Sequence, residues 1–172
     1  MVGAGVERTV SGDYRESHGV NEVPVRVWRV GRSSESRYLL VLRDDSGAVL
    51  PMAIGPCEAV AIWAALRRQA EEEAEPPAPG THDLLCALIE RLGGRLTKVV
   101  IDDLWNQVYY AKLHVARNGE VLTIDARPSD SVAMGLRANV PLFAAPSVLE
   151  AANADEDADQ DAAPPDEDLS DL

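Results

Sequence analysis

Asn118-Gly119 stands between two runs rich in apolar and β-branched residues, Val108–Val115 and Val121–Ala126. An Asn-Gly pair in that setting is the strongest local signal for a two-residue hairpin, because both turn residues must accept positive φ. It commits the C-terminal half of the chain to antiparallel sheet and excludes an all-helical fold. Alternation at Val23, Val25 and Val27 predicts another strand, and Pro24 puts it at an edge or near the strand's start. Tyr38–Arg43 and Ala48–Ile54 read as a hairpin around Asp44-Asp45-Ser46-Gly47. Leu96–Ile101 and Pro141–Ala144 complete the expected strands, with Asp102 and Asp103 read as a turn.

Between the strands the period changes from two to that of a helix. Gly55-Pro56 opens a helix through Arg68, with Pro56 in its first turn and Glu58 near the positive end of its dipole. Thr81 is the expected N-cap of a second helix, and Gly93-Gly94 end it. Arg127-Pro128-Ser129-Asp130 opens a third, capped by Ser129 and Asp130, and Ser147 with Glu150 forms a capping box for a short fourth. The expected class is α+β: a compact single domain with a mixed, mainly antiparallel sheet and three to four helices.

Charge divides the 172 residues more sharply than hydrophobicity does. Of 29 acids, nine lie between Asp155 and Asp171, leaving 20 against 16 bases, or −4, in residues 1–150. The end of the chain offers almost nothing apolar larger than alanine and cannot offset its ordering entropy. The expected organisation is a disordered leader at 1–20, a folded domain at 21–150 and a disordered acidic tail at 151–172. Glu75–Gly80 is a linker loop. The first twenty residues lack the apolar run of a signal peptide, and no run is long enough to span a membrane. Two cysteines, Cys57 and Cys86, make no disulfide framework, so the expected setting is cytoplasmic. No basic stripe announces nucleic acid. Arg67, Arg68, Arg91, Arg95, Lys98 and Lys112 are candidates for a backbone-binding surface or for an ordinary solvated face.

No Walker loop, GxGxxG, HExxH or GxSxG motif is present. Three clusters bear chemistry. Thr81-His82-Asp83 sets an imidazole beside a carboxylate at a helix start, the parts of a general base or simply of a capped helix. Asp125-Ala126-Arg127-Pro128-Ser129-Asp130 joins a strand to a helix. There Arg127 and Ser129 suit a phosphate at free helix N–H groups, and Asp125 with Asp130 suits Mg²⁺ or Mn²⁺. The structural alternative is a capped turn held by an Arg127–Asp ion pair. Gly55-Pro56-Cys57-Glu58 adds Glu58 as an acid, base or metal ligand, or as a dipole complement.

Taken in order, Leu50–Gly55, Glu58-Ala59, Thr81-His82-Asp83-Leu84, Asp125–Ala133 and Leu136-Arg137 resemble the bifunctional nuclease family, long catalogued as a domain of unknown function. The likeness runs from about Val23 to Leu149. It implies a compact α+β domain, a nuclease acting on DNA and RNA, and self-association, expected here as a homo-oligomer and most simply a dimer. The apolar first helix with Trp63 is one candidate interface. The resemblance carries over positions and not roles; read as a metal-assisted nuclease, the residues themselves offer His82, oriented by Asp83, as base, Asp125, Asp130 and Glu58 around a divalent cation, and Arg127, Ser129 and Thr81 against the phosphate. Ala78-Pro79-Gly80 departs from the pattern, in which an Arg-Pro pair and a large apolar residue usually precede Thr-His-Asp. The other class of function is a non-catalytic interaction or regulatory module, whose motif residues are caps and ion pairs.

Overall fold

The computed structural model describes residues 22–33, 37–70 and 78–154. Most of the expected acidic tail, the leader and much of the linker lie outside them. The elements run β1 (Val23–Arg32), β2 (Tyr38–Arg43), β3 (Val49–Ile54), α1 (Pro56–Ala70), α2 (Thr81–Arg91), β4 (Gly94–Trp105), β5 (Val108–Arg117), β6 (Glu120–Ala126), α3 (Pro128–Ala138), β7 (Leu142–Ala144) and α4 (Pro146–Ala152). The strands form one sheet in the order β3-β2-β1-β7-β4-β5-β6. Only β4 and β7 pair in parallel, so the sheet is mixed and mainly antiparallel, as expected for this α+β chain.

Hairpin chemistry sets both halves of the sheet. Asn118 and Gly119 take φ of 52° and 83°, and β5 then pairs with β6 without a break from Arg117–Glu120 to Ala111–Ala126. Asp44 shapes the β2–β3 turn by accepting the N–H groups of Gly47 and Ala48, each at 2.8 Å. Pro24 costs β1 nothing, because β2 pairing begins only at Arg26 and β7 alone flanks the strand's start.

α3 is the central helix. Its Ser129, Ser131, Val132, Ala133, Met134 and Gly135 are all buried, as expected of a helix enclosed on several sides. It packs against α1, α2, β4 and β5. α2 lies outside: none of its residues is fully buried, and Leu84, Leu85 and Leu88 stay exposed while Cys86 and Ile89 reach the core. No helix among the described residues is long and apolar enough to cross a membrane.

Four local expectations are corrected. Asp102 and Asp103 do not form a turn: β4 continues through them to Trp105, and Asn106-Gln107 turn instead, with φ of 49° and 63°. Lys112 holds Asp102 at 2.6 Å from the next strand. Gly80, not Thr81, is the N-cap of α2, and Thr81 is its first helical residue. Arg127 and Ala145 hold the N-cap positions of α3 and α4, because Pro128 and Pro146 take the first helical turn and force an extended residue before them. Ser129 and Asp130 are therefore first-turn residues. Ser147 lies inside its helix, so no capping box with Glu150 forms.

Candidate functional site

Three helices start at one cleft. Its volume is about 670 Å³, and its walls include Cys57 and Glu58 of α1, Gly80–Asp83 of α2, and Arg127 and Asp130 of α3. Each helix carries its acid in the first turn: Glu58, Asp83 and Asp130. Carboxylates there complement the helix dipoles. Gly55 makes room for one of them, since a Cβ at that position would collide with the Glu58 carboxylate. Neither Gly80 nor Arg127 caps its helix through a side chain, which leaves the first-turn N–H groups of α2, on the cleft wall, without a capping side chain.

The two sequence-distant clusters converge. His82 Nε2 lies 3.1 Å from Asp130 Oδ1. Arg127 donates from Nε to Asp130 Oδ2 at 2.7 Å, and its Nη1 lies 3.0 Å from Glu58 Oε1. Burial pushes the Asp130 carboxyl upward, but hydrogen bonds from Arg127 and His82, with the Arg127 charge, outweigh it and hold the group below its ordinary value. Asp130 is thus the ionised acceptor, and the contact requires His82 to donate Nε2–H. In the neutral ring the lone pair then sits on Nδ1.

His82 is oriented by Asp130 rather than by Asp83. Neighbouring residues on a helix do not face each other. Asp83 instead accepts from Arg68 at 2.7 Å, Arg137 at 3.1 Å and the Gly80 N–H at 2.9 Å. Burial raises its pKa less than these donors lower it. Arg137 was present in the sequence only as a motif residue, yet it ties the site together. Its guanidinium is 7% exposed and also donates to the carbonyls of Ala61 in α1 and Ala133 in α3. The available signal was spacing: Arg137 follows Asp130 by two helical turns.

The remaining predicted residues divide. Thr81 is exposed on the cleft wall, whereas Ser129 is buried and is not among the lining residues. Asp125 is not brought to the cleft. It stands on β6 with its side chain 75% exposed, 3.9 Å from Lys112. Among the described residues no group of three His, Cys, Asp or Glu is arranged to hold a metal ion. With Arg127 seated between Glu58 and Asp130, these carboxylates fit a guanidinium and not a divalent cation. Of the six candidate surface bases, Arg68, Lys98 and Lys112 are engaged by Asp83, Glu22 and Asp102. Trp63 lies under Arg67 on α1, half-buried.

Comparison with known proteins adds a separate line of observation. The bifunctional nuclease domain profile matches residues 40–157, which include every wall of the cleft. An uncharacterised protein of Mycobacterium tuberculosis is 42% identical over 130 residues, 76% of this chain and 74% of that protein. Bifunctional nuclease 1 of Oryza sativa subsp. japonica is 29% identical over 122 residues, 68% of this chain and 35% of its own length. Bifunctional nuclease 2 of Arabidopsis thaliana is 22% identical over 110 residues, 62% of this chain and 32% of its own length.

Proposed function

The chain belongs to the bifunctional nuclease family, and from that premise we propose that its cleft hydrolyses phosphodiester bonds in DNA and RNA. The observation that carries the reading is the His82–Asp130 contact, with Arg127 poised beside it at a meeting of three helix starts. His82 takes a proton from the attacking water at Nδ1. Asp130 fixes the tautomer through Nε2–H and stabilises the imidazolium that forms. Arg127, with its side chain 67% exposed, turns from Glu58 and Asp130 to the phosphoryl oxygens. The first-turn N–H groups of α2, which no N-cap side chain occupies, add donors for the same oxygens.

The test is cleavage of single- and double-stranded DNA and RNA with Mg²⁺, Mn²⁺ or EDTA. Wild type is compared with His82→Ala, Asp130→Asn and Arg127→Leu, each verified as folded. Loss of a general base costs about 100-fold or more, so cleavage falls by that factor in His82→Ala. Cleavage that persists in both His82→Ala and Asp130→Asn refutes the assigned site. No cleavage by wild type refutes the activity.

One observation favours a second reading, a non-catalytic interaction module. Every carboxylate on the cleft wall already has a guanidinium partner: Glu58 and Asp130 share Arg127, and Asp83 has Arg68 and Arg137. In that reading Asp130→Asn is strongly destabilising and wild type binds without cleaving.

A further inference from the structure

The sheet's two edges are finished differently. At β3 the edge is closed. Pro51 has no N–H to offer, α4 packs on the strand, and Asn153 bonds both backbone groups of Val49: Nδ2 donates to its carbonyl at 3.0 Å and Oδ1 accepts its N–H at 3.2 Å. At the other edge, β6 is exposed from Glu120 through Asp125. It has no proline, lysine or bulge to stop it from pairing, and its two charges, Glu120 and Asp125, lie toward the strand's two ends.

The direction of its free backbone groups follows from the turn. With Asn118 and Gly119 both at positive φ, Arg117 and Glu120 are the hydrogen-bonded pair that closes the hairpin. Alternation then turns Glu120, Leu122 and Ile124 toward β5, and the N–H and C=O groups of Val121, Thr123 and Asp125 outward. The side chains show an unfinished layer. Leu122 and Ile124 stand opposite Val115 and Leu113, which are buried, yet each remains 44% exposed, and Val121 on the other face is 60% exposed.

We propose that β6 is the surface through which two copies of this chain pair, antiparallel about a two-fold axis at Thr123. In that register Thr123 faces Thr123, and Val121 faces Asp125. Every outward N–H and C=O of those three residues finds a partner. Leu122 faces Ile124 in the close, non-hydrogen-bonded position, so the Leu113–Val115 layer continues across the axis. Like charges stay apart, because Glu120 faces Ala126 and Asp125 faces Val121. The register keeps the carboxylates of Glu120 and Asp125 from facing one another and sets Leu122 against Ile124, the self-matching that an isologous interface requires. The inference is independent of the nuclease reading.

The test is sedimentation velocity on the full chain across a concentration series, for wild type, Thr123→Pro, Ile124→Lys and an opposite-edge control, Ala53→Lys. Proline at 123 removes an outward N–H and no bond to β5. Wild type and the control sediment as dimers, and the two β6 variants dissociate at concentrations at least ~100-fold higher. Amide exchange on wild type reads the same contact without any variant: protection at Val121, Thr123 and Asp125 rises with concentration. A wild type monomeric at ~100 µM overturns the proposal. So does a folded Thr123→Pro or Ile124→Lys that dimerises as well as wild type, or exchange at those three amides that ignores concentration.

Discussion

Replacing Arg137 with methionine removes a side chain that bonds to all three helices of the cleft. Its partners are Asp83 Oδ1 at 3.1 Å, the Ala61 carbonyl at 3.0 Å and the Ala133 carbonyl at 2.9 Å. Breaking a buried ion pair from one side costs about 3–5 kcal/mol when the other charge is left bare. Asp83 is not left bare, because Arg68 and the Gly80 N–H remain at 2.7 and 2.9 Å. The two carbonyls keep their helical bonds, and methionine restores part of the packing. The loss is then about 2–3 kcal/mol, mostly the charge-assisted bond to Asp83. For a folded region of this size that lowers Tm by roughly 10 °C. Urea unfolding at pH 7 measures it directly. The pH dependence gives a second reading. Burial opposes the Asp83 charge, but Arg68, Gly80 and Arg137 together hold its folded pKa below the ordinary value. Its contribution is therefore complete above the ordinary carboxyl pKa and is lost as pH falls through the lower folded one. Arg137→Met shrinks that acid-side loss. A variant within about 0.5 kcal/mol of wild type at pH 7, or one with an unchanged acid limb, refutes the assignment of Arg137 as the tie between the helices.

Two further outcomes concern stability. Asp130 also has a lowered folded pKa: burial raises it, but the hydrogen bonds from Arg127 and His82 prevail. Asp130→Asn should cost about 1–2 kcal/mol at pH 7 and flatten the stability curve below pH ~4, so parallel wild-type and variant urea series at pH 7, 5 and 3 refute the charge-linked role. Gly135→Ala sets a Cβ 2.7 Å from Leu142 Cδ2 and 3.0 Å from Val99 Cγ2. Overpacking of ~1–3 kcal/mol outweighs the ~1 kcal/mol helix gain of alanine, so Tm falls, and a raised Tm would show that α3 can shift off the sheet.

What was legible in the sequence was local. Asn118-Gly119 specified its hairpin because only positive-φ residues make that turn, and Pro128 specified the start of α3 because proline suits a first helical turn. The same local logic misplaced the caps. Thr81 and Ser147 look like N-caps by composition, but Gly80 and the Ala145-Pro146 step take those positions. Asp102-Asp103 looks like a turn because acids are rare in strands, yet Lys112 neutralises Asp102 from across the ladder. The clusters themselves were visible as Thr81-His82-Asp83 and Arg127–Asp130, and their meeting was not. It depends on α2 and α3 packing together across 48 residues of chain, and no periodicity encodes that. The Asp125–Asp130 metal pair failed to assemble for a related reason. Asp125 still follows the strand's alternation, whereas Asp130 already follows the helix.

β7 is three residues long and has a neighbour on each side: β1 at Val23–Val25 and β4 at Val99–Ile101. Among the described residues no other strand pairing joins β1–β3 to β4–β6. Among the described strands it is also the last to leave the ribosome. The two halves of the sheet can therefore each zip up during synthesis, but they share no ladder until Leu142–Ala144 emerge. A chain halted just short of that point would not be a slightly smaller version of this protein. Its two three-stranded sheets would be joined through helix packing, α1 against α3, with each sheet presenting an open inner edge that the finished molecule never shows.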